Sequence, residues 1–468
     1  MMNYTNWDLD ADDETISMLV REVSSLRIVD VLSKYGVKVK KKVGGKLYAL
    51  CPFHMDHHIG SFSIDPKHNR CKCWSCQNGG GVIDSVAKIL GVDYTEAALQ
   101  IAADFGMISP KQFEMLNTSG VKYEKKAHDS AGYRWDDDSD VVSEDEILFR
   151  SRVYQALKAV CPLLSNDRVY LIGRGVPTKR IDRDYFTLPG IDVAKAVRNK
   201  YRELFHELCD PERLSKVPGF FGTVKGRHFE VTMFTPSGIG ILLRNTAGLI
   251  VAVQYRDRDP EAECRYRFLS GDTGKKKGEA HDFNGASVGS PVDVIPPTER
   301  LWNDRVAVTE GKFKAEQLAL KGYVAVSVQG VFNFKNVPGE LVHISERYGK
   351  IQSVDVFYDA DAITNPNVCL AREKLAKCLT KHSYFVRIAV WNPKFGKGID
   401  DFILRNERHP GRFFSPETAG EAFQNAMNGA MAKYGVTSDT PVSQVTLETR
   451  KGLLHEFTRL MEEAFDLA

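Results

Sequence analysis

Two short pairs of cysteine and histidine residues constrain this chain more than any other feature. The stretch over residues 51–84 reads CPFHMDHHIGSFSIDPKHNRCKCWSCQNGGGVID, in which Cys51 and His54 form one pair and Cys73 and Cys76 form the other. A gap of two residues lets each pair grip a metal from a tight turn, and four such ligands complete a tetrahedral zinc site. The spacing therefore predicts a zinc ribbon with short strands such as SFSI between the two turns. A site closed by four protein ligands is structural, so this zinc is expected to fold the module.

Other side chains in the same stretch compete for the metal. Cys71 is the strongest competitor, because Cys71-Lys72-Cys73 offers two thiols side by side. The spacing leaves these alternatives open, and the further candidates are His57, His58 and His68. Four of the nine cysteines fall between residues 51 and 76. Clustering of this kind favours metal binding over disulfides in a chain that is expected to be cytoplasmic.

The beginning of the chain and its hydropathy bear on location. Residues 1–19 are acidic and polar, unlike a secretory signal peptide, which needs a basic and then apolar beginning. No run of about 20 apolar residues exists, so no transmembrane helix is expected. The sequence therefore predicts a cytoplasmic protein without membrane contact.

Charge and composition, together with the resemblances described below, divide the chain into five regions. The net charge of the 468 residues is only +2, but residues 37–46 (VKVKKKVGGK) contain five lysines and no acid. Local patches matter more than the total charge for phosphate binding. The predicted regions are a compact cysteine-bearing module over 1–107, a flexible acidic linker over 108–148, a mixed α/β region over 149–300, a further α/β domain over 301–408 and a helical segment over 409–468.

Carboxylates follow three predicted strands in the fourth region. Glu310 follows the strand residues RVAVT, Asp359 and Asp361 follow SVDVFY, and Asp400 and Asp401 follow the strand of VRIAVWNPKFGKGIDDFI. Ligands of an open parallel sheet gather at the carboxyl ends of its strands, so these side chains are expected to converge. Collected carboxylates repel one another unless they hold divalent cations, which makes a magnesium or manganese site the expected outcome. Each motif taken singly is also compatible with a helix cap or a solvated turn.

The cysteine-bearing stretch resembles the zinc-binding domain of bacterial DnaG-type primases over about residues 20–107. The motifs CPFH, SFSI and CWSCQNGGGVID carry the resemblance. It implies that Cys51, His54, Cys73 and Cys76 are the ligands, that Cys71 is not, and that the ribbon helps to recognise a template strand. Trp74 would then stack on a base, with the alternative that it lies in the core.

The acidic region resembles the TOPRIM domain of the same primases, of topoisomerases and of certain nucleases. The motifs EGKFKAEQ, YDAD and GIDDFI carry this resemblance, which implies that two Mg²⁺ or Mn²⁺ ions are held by Glu310, Asp359, Asp361, Asp400 and Asp401. Glu310 has the alternative role of a general acid or base. Lys314 departs from the family, which usually has an aspartate there, and the pattern is closer to primase-like proteins of phages, plasmids and integrated elements.

A looser resemblance covers the region before the TOPRIM motifs. Arg174 and Gly175 match the start of the primase core, and the later arginines lie on a predicted hairpin. Alternation along strands would place these arginines outward as a phosphate track, or leave them paired with neighbouring acids on a solvated face. The resemblance implies nucleic-acid or nucleotide contacts by Arg174, Arg244, Arg256, Arg265, Lys312, Lys314, Lys397 and Trp74.

Taken together, the resemblances predict a multidomain α/β protein. It would contain an N-terminal zinc ribbon, a mixed α/β primase core with a Rossmann-like parallel TOPRIM sheet, and C-terminal helices. The implied activity is synthesis of short RNA primers on single-stranded DNA from nucleoside triphosphates, with one structural zinc and a replicative helicase on a separate chain. The alternatives are a TOPRIM nuclease and a non-catalytic DNA-binding replication module of a mobile element.

Overall fold

The computed structural model describes most of the chain, and its helices and strands form two compact units. The first unit contains residues 1–138 and 423–464, and the second contains residues 139–422 and 465–468. The described residues are 13–43, 45–56, 59–76, 78–123, 143–225, 228–259, 265–269, 288–298, 301–406, 412–437, 440 and 445–467.

The first unit is a five-stranded antiparallel sheet with helices. The strands pair in chain order β1-β2-β3-β4-β5. The core contains the inward residues of β2 to β4 together with the apolar faces of the helices, among them Val23, Phe62 and Ile101, all fully buried. The elements are α1 (Asp13–Ser25), α2 (Ile28–Lys34), β1 (Val39–Val43), β2 (Lys46–Ala49), β3 (Phe62–Asp65), β4 (Arg70–Cys73), β5 (Gly79–Gly80), α3 (Val82–Leu90), α4 (Tyr94–Asp104), α5 (Pro110–Thr118) and the C-terminal α16 (Leu447–Ala464).

The predicted linker over 108–148 is wrong at both of its ends. Helix α5 begins inside it, where Ser109 and Gln112 form a capping box around Pro110. Leu116 of this helix is buried in the first core, and a single apolar anchor of this kind is easily overlooked in a polar stretch. At the other end, helix α6 already begins at Glu144. Residues 124–142 of the predicted linker lie outside the described residues.

The centre of the second unit is a six-stranded mixed sheet. Its order is β12-β14-β13-β15-β16-β17, with the middle four strands parallel and both edge strands antiparallel to their neighbours. Strands β14 and β15 are buried along their whole length, as expected of parallel strands covered on both faces. The elements are β12 (Val292–Ile295), β13 (Arg305–Glu310), α11 (Lys312–Leu320), β14 (Val324–Val328), α12 (Val337–Tyr348), β15 (Ser353–Phe357), α13 (Pro366–Lys381), β16 (Val386–Ala389), α14 (Ile399–Asn406) and β17 (Phe413–Phe414).

The two edge strands correct the predicted domain bounds. The sheet was expected to begin at residue 301, but β12 precedes that point. It was expected to end at residue 408, but β17 follows it and pairs with β16 through Ile388 and Phe414. Both edges are short, and a two-residue strand has too few residues to show an alternating pattern.

A second sheet of the same unit is antiparallel, with the order β11-β10-β9-β6. Helix α6 packs against this sheet and helix α9 packs against α6, with Val153, Leu157 and Val197 fully buried. The elements are α6 (Glu144–Val160), α7 (Ser165–Gly173), α8 (Thr178–Asp184), β6 (Tyr185–Pro189), α9 (Ala194–Phe205), α10 (Pro211–Ser215), the separate hairpin β7 (Phe221–Lys225) and β8 (His228–Thr232), then β9 (Ser237–Arg244), β10 (Ile250–Asp257) and β11 (Tyr266–Phe268).

The predicted C-terminal segment over 409–468 is divided rather than single. After β17, the boundary between the units falls within α15 (Pro416–Lys433). Helix α16 buries Leu453, Phe457 and Met461 in the first unit, so its apolar face serves internal packing. None of the helices described is long and apolar enough to cross a membrane.

Candidate functional site

The four predicted zinc ligands converge in the first unit. The ligand atoms of Cys51, His54, Cys73 and Cys76 all lie within 4.8 Å of one another. The Sγ atoms of Cys51 and Cys76 are 3.9 Å apart, close to the edge of about 3.8 Å that a tetrahedron with zinc–sulfur bonds of about 2.3 Å requires. Burial raises the pKa of Cys51, so this thiol needs a nearby cation to ionise. The donor set and its spacing fit one zinc ion.

Asp56 organises the first ligand pair, a role that the sequence analysis missed. Its Oδ2 accepts hydrogen bonds from the Cys51 backbone N–H at 3.1 Å and from the Ser61 hydroxyl at 2.6 Å. Its Oδ1 lies 4.0 Å from His54 Nε2, while His54 Nδ1 faces the Cys73 sulfur at 3.9 Å. A separation of 4.0 Å is too long for a hydrogen bond, so Asp56 organises this turn through the Cys51 N–H and the Ser61 hydroxyl. In the sequence, this role is indicated only by the position of Asp56, two residues after a predicted ligand histidine.

Arg450 of α16 binds the backbone of the same turn from the far end of the chain. Its Nη1 donates to the carbonyl oxygens of Cys51 at 3.3 Å and Asp56 at 3.2 Å. The residue is only 4% exposed, and its Nε donates to the Val445 carbonyl. No local pattern indicates this contact, because 399 residues separate Arg450 from Cys51.

Two of the competing ligands have other partners. Cys71 is buried, and its Sγ lies 3.1 Å from the Ser85 hydroxyl of α3. Burial raises the pKa of this thiol to about 11, which keeps it neutral. His68 Nδ1 lies 2.7 Å from an Asp65 carboxylate oxygen. His57 and His58 lie outside the described residues.

The surface of the zinc module is basic and carries an exposed tryptophan. Trp74 is 59% exposed, which excludes the alternative that it lies in the core. Strand β1 is exposed along its whole length. The exposed lysines of this surface are Lys38, Lys40, Lys41, Lys42 and Lys46.

The acidic motifs of the second unit follow adjacent parallel strands. Glu310 ends β13, and Asp359 follows β15, its neighbour in the sheet, where Thr309 is in register with Phe357. Asp400 lies in the first turn of α14, after β16, which pairs with β15. The Lys397 carbonyl accepts a hydrogen bond of 2.9 Å from the Ala360 N–H, which ties the third motif to the second. The order of the strands therefore brings Glu310, Asp359 and Asp400 to the C-terminal ends of adjacent parallel strands. This side of the sheet is called the acidic edge.

Each of three acids in this edge has a basic partner. Lys314 Nζ lies 2.5 Å from Asp359 Oδ1, and Lys397 Nζ lies 2.9 Å from Asp361 Oδ2. Arg174 Nη2 donates to Asp400 Oδ2 at 2.6 Å. The basic partners differ in exposure, because the side chain of Lys314 is 18% exposed and that of Lys397 is 67% exposed.

Electrostatics in this edge follow from burial and from neighbouring charges. Burial raises the pKa of Glu310, and the nearby Asp359 and Asp361 raise it further against the opposing effect of Lys314. Burial likewise raises the pKa of Asp359. For Lys314, burial lowers the pKa, but Asp359 and Glu310 outweigh it and the pKa is raised. The lysine is therefore charged at neutral pH.

The acidic edge does not form a closed metal cage. In the part of the chain that the structure describes, the zinc set is the only group of three or more such ligand atoms close enough to share an ion. Asp361 Oδ1 is nevertheless buried and accepts no hydrogen bond from the described residues. Magnesium commonly uses one or two carboxylates and keeps several waters. Asp359 and Asp361 therefore fit a platform for a divalent ion.

Arg174 and Gly175 are fixed beside the acidic edge. The guanidinium of Arg174 lies 5.1 Å from the ring centroid of Phe313. Gly175 has φ +72°, and a Cβ there would lie 2.8 Å from the Gln317 amide nitrogen. That amide donates to the Gly175 carbonyl at 2.7 Å. Only glycine fits this turn, which places the preceding arginine against Asp400.

Two of the predicted phosphate-binding residues are instead structural. The side chain of Lys312 is 1% exposed and lies 3.1 Å from Asp293 Oδ2 and 3.5 Å from Asp184 Oδ2. Arg244 Nε donates to Asp184 Oδ1 at 2.7 Å. Residues two apart on a helix lie about 200° apart, so Lys312 and Lys314 cannot both face the acidic edge. The predicted roles of Lys312 and Arg244 in binding phosphate are wrong.

The remaining arginines of the hairpin stay candidates. Arg256 stacks on the Tyr170 ring, with its guanidinium 4.6 Å from the centroid, and Arg265 is exposed. Arg258 pairs with the buried Asp167 at 2.7 Å. This ion pair differs from the solvated pairs with neighbouring acids that the sequence suggested.

Comparison with known proteins matches two parts of the chain. Residues 13–116 match the family model described as CHC2 zinc finger. The N-terminal module is therefore similar to zinc ribbons of the DnaG type over these residues. This match and the relatives described below confirm the resemblance to the DnaG-type primase family. The match and the Cys/His cluster together support one zinc ion in the ribbon. Residues 301–409 match a model described as a domain of unknown function, DUF3854.

The similar proteins include curated DNA primases. That of Geobacillus stearothermophilus is 36% identical over 95 residues, which cover 20% of this chain and 15% of the relative. That of Aquifex aeolicus is 38% identical over 91 residues, covering 19% and 17% respectively. The matches thus span less than a fifth of the relatives' length. A solved structure of the zinc-binding and RNA polymerase domains of the Aquifex aeolicus primase overlaps with a TM-score of 0.41 and 18% identity, covering 96% of this chain and 98% of that one. The narrower resemblance to proteins of mobile elements stays a prediction.

Proposed function

We propose that this chain is a DNA primase that synthesises short RNA primers on a single-stranded DNA template. The observation that carries the proposal is the presence in one chain of a DnaG-type zinc ribbon and an edge of parallel strands lined by Glu310, Asp359 and Asp400. A ribbon alone would serve any DNA-binding module. Partly buried carboxylates that follow adjacent strands add the means to hold a divalent ion beside substrate phosphates.

The proposed catalytic domain comprises residues 301–408, extended by β12 and β17. Asp359 and Asp361 would hold a divalent ion, which would supply positive charge for ionising an attacking 3′-hydroxyl and for stabilising a departing pyrophosphate. Glu310, Asp400 and Asp401 complete the acidic edge. The sequence predicts two such ions at these acids.

Basic side chains of both units supply the proposed contacts to substrates. Arg174 and Lys397 lie at the acidic edge and are suited to triphosphate oxygens, because a guanidinium or ammonium donates to phosphate at little cost when it is partly exposed. Arg256 and Arg265 offer further contacts to the template backbone. On the ribbon, Trp74 is suited to stack on a base beside the exposed lysines of β1. A replicative helicase on another chain remains the proposed partner.

Synthesis of primers de novo tests the proposal. The full chain is incubated with single-stranded DNA, labelled nucleoside triphosphates and Mg²⁺, beside a double variant with Asp359→Asn and Asp361→Asn. We expect short labelled products that fall at least about a hundredfold in the variant, since a bound ion contributes several kcal/mol to such reactions.

Asp182→Asn is the matched control, because Asp182 is exposed on α8, away from the acidic edge. Among the described residues, its carboxylate forms an ion pair with Arg168 alone. This variant should retain full synthesis. Absence of products from the wild-type chain on several templates would overturn the proposal. Cleavage of the labelled DNA under the same conditions would favour a nuclease, and DNA binding without any reaction would favour a non-catalytic module.

A further inference from the structure

We propose that the Lys314 ammonium group is a built-in cation that takes the place of one metal ion, so that the acidic edge binds a single divalent ion at Asp359 and Asp361. The inference deepens the proposed function and rests on it for its catalytic meaning. The number of bound ions is nevertheless measurable without any reaction.

The position of Lys314 supports this role. The residue lies in the first turn of α11, four residues after Glu310, and its Nζ is 2.5 Å from Asp359 Oδ1. On its other side it packs against the third acidic motif. A Cβ added to Gly398 would lie 3.0 Å from Lys314 Cε and 2.3 Å from Asp400 Oδ1. The ammonium group therefore lies among Glu310, Asp359 and Asp400, where these acids would otherwise need a metal ion.

The balance of charge also favours one ion. Four carboxylates lie close to the cations of the edge, namely Glu310, Asp359, Asp361 and Asp400, and the cations are Lys314, Lys397 and Arg174. With all of these groups ionised, four negative and three positive charges leave a net charge of −1, or −2 once Lys397 turns into solvent. One divalent ion brings this charge to +1 or 0, whereas a second ion would raise it to +3 or +2 in a partly buried site, which is costly.

The exposure of the two lysines indicates where the ion binds. Lys314 is 18% exposed and enclosed between motifs, so it cannot leave Asp359 without reaching another acid. Lys397 is 67% exposed and can swing into solvent. Its departure frees both oxygens of Asp361, one of which is already without a hydrogen-bond partner among the described residues. The ion is therefore expected at Asp361 and Asp359, with Lys397 free to turn towards a phosphate.

Titration with Mn²⁺ followed by electron paramagnetic resonance counts the ions directly. The zinc-loaded full chain is titrated without nucleotide, and the binding that remains in the Asp359→Asn, Asp361→Asn variant is subtracted as background. We expect one tight Mn²⁺ ion per wild-type chain and two in Lys314→Asp, because that change removes a cation and adds a ligand. Lys314→Gln preserves the length of the side chain and should gain a weaker second ion.

Lys350→Asp is the matched control for total charge. Lys350 is exposed and is not part of the acidic edge, and its replacement changes the net charge by the same two units as Lys314→Asp. It should leave the count at one. Two specific Mn²⁺ ions in the wild-type chain, or a count of one in both Lys314 variants with unchanged circular dichroism, would overturn the inference. A count of one together with absent primer synthesis would overturn the proposed function and leave the metal count standing.

Discussion

Glu316 is a buried carboxylate in a cluster of charges behind the acidic edge. Its side chain is fully buried, and neither carboxylate oxygen accepts a hydrogen bond from the described residues. The nearest cation is Arg180, whose Nε lies 3.8 Å from Glu316 Oε2. Burial raises the pKa of Glu316 from 4.5 to about 7, against the opposing effects of Lys312 and Arg180. The folded protein therefore holds this proton at pH values where the unfolded chain has released it.

This shift predicts that Glu316 makes stability fall as pH rises. Between the ordinary pKa near 4.5 and the folded value near 7, the native state binds more protons than the unfolded state, so its free energy of unfolding decreases with pH. Glu316→Gln removes this dependence. We expect the variant to gain stability relative to wild type between pH 5 and pH 8, by at most about 1.4 kcal/mol per pH unit. Urea unfolding at both pH values measures the difference, and a pH-independent difference would contradict the expectation.

Lys312 shows why the sequence assigned a phosphate-binding role to a side chain that is buried in an ion pair. It lies two residues after Glu310 in a lysine-rich motif, and composition alone cannot separate it from Lys314. Its true partners, Asp184 and Asp293, come from α8 and β12, segments with no motif of their own. Periodicity along α11 would have separated the two lysines, because Lys312 shares a face with the buried Glu316. The sequence could not predict that Asp184 and Asp293 are the ion-pair partners of Lys312.

At the scale of elements, α16 stabilises the zinc-binding turn through one side chain. Arg450 donates hydrogen bonds to the backbone carbonyls of Cys51 and Asp56, and its replacement would remove both bonds. A buried acceptor without a donor costs about 1–3 kcal/mol. We expect Arg450→Met to speed the transfer of zinc to a coloured chelator by about tenfold or more, since 1.4 kcal/mol corresponds to a factor of ten.

Lys451→Met is the matched control for this experiment. Lys451 is the next residue of the same helix but is exposed, so the change should leave the transfer rate near that of wild type. Equal rates for Arg450→Met and wild type would show that the two hydrogen bonds do not stabilise the turn.

The elements differ in how far the sequence predicted them. The zinc ligands were predicted because both pairs lie within 26 residues and their spacing is dictated by the metal. The acidic edge was predicted because parallel strands end on the same side of a sheet. The edge strands β12 and β17 were missed because they are short and pair with strands distant in sequence. Helix α5 was missed because its only buried residue is Leu116.

At the scale of the whole molecule, zinc should control both ends of the chain together. The first unit combines residues 1–138 with residues 423–464, and zinc contributes about 10–16 kcal/mol to small modules of this kind. We expect Cys76→Ala to lose zinc and to raise hydrogen exchange both in residues 45–76 and in α16, with β13 to β16 unchanged. Cys71→Ala should keep zinc and protection, because Cys71 contacts Ser85 rather than the ligand set.

Mass spectrometry of zinc content and of amide exchange in the full-length variants measures both effects. An increase in exchange confined to residues 45–76 would contradict the expected coupling to α16, and loss of zinc from Cys71→Ala would contradict the assignment of the ligands.

The contact between Arg450 and the zinc-binding turn also sets an order of events during translation. The ribosome makes the ligand motif early, but the donor for the Cys51 and Asp56 carbonyls emerges 399 residues after Cys51. At about 5–20 residues per second, the delay is about 20 to 80 s. During that time the nascent ribbon must depend on its metal and its own sheet. A cell short of zinc would therefore expose this module to proteases before α16 can protect it.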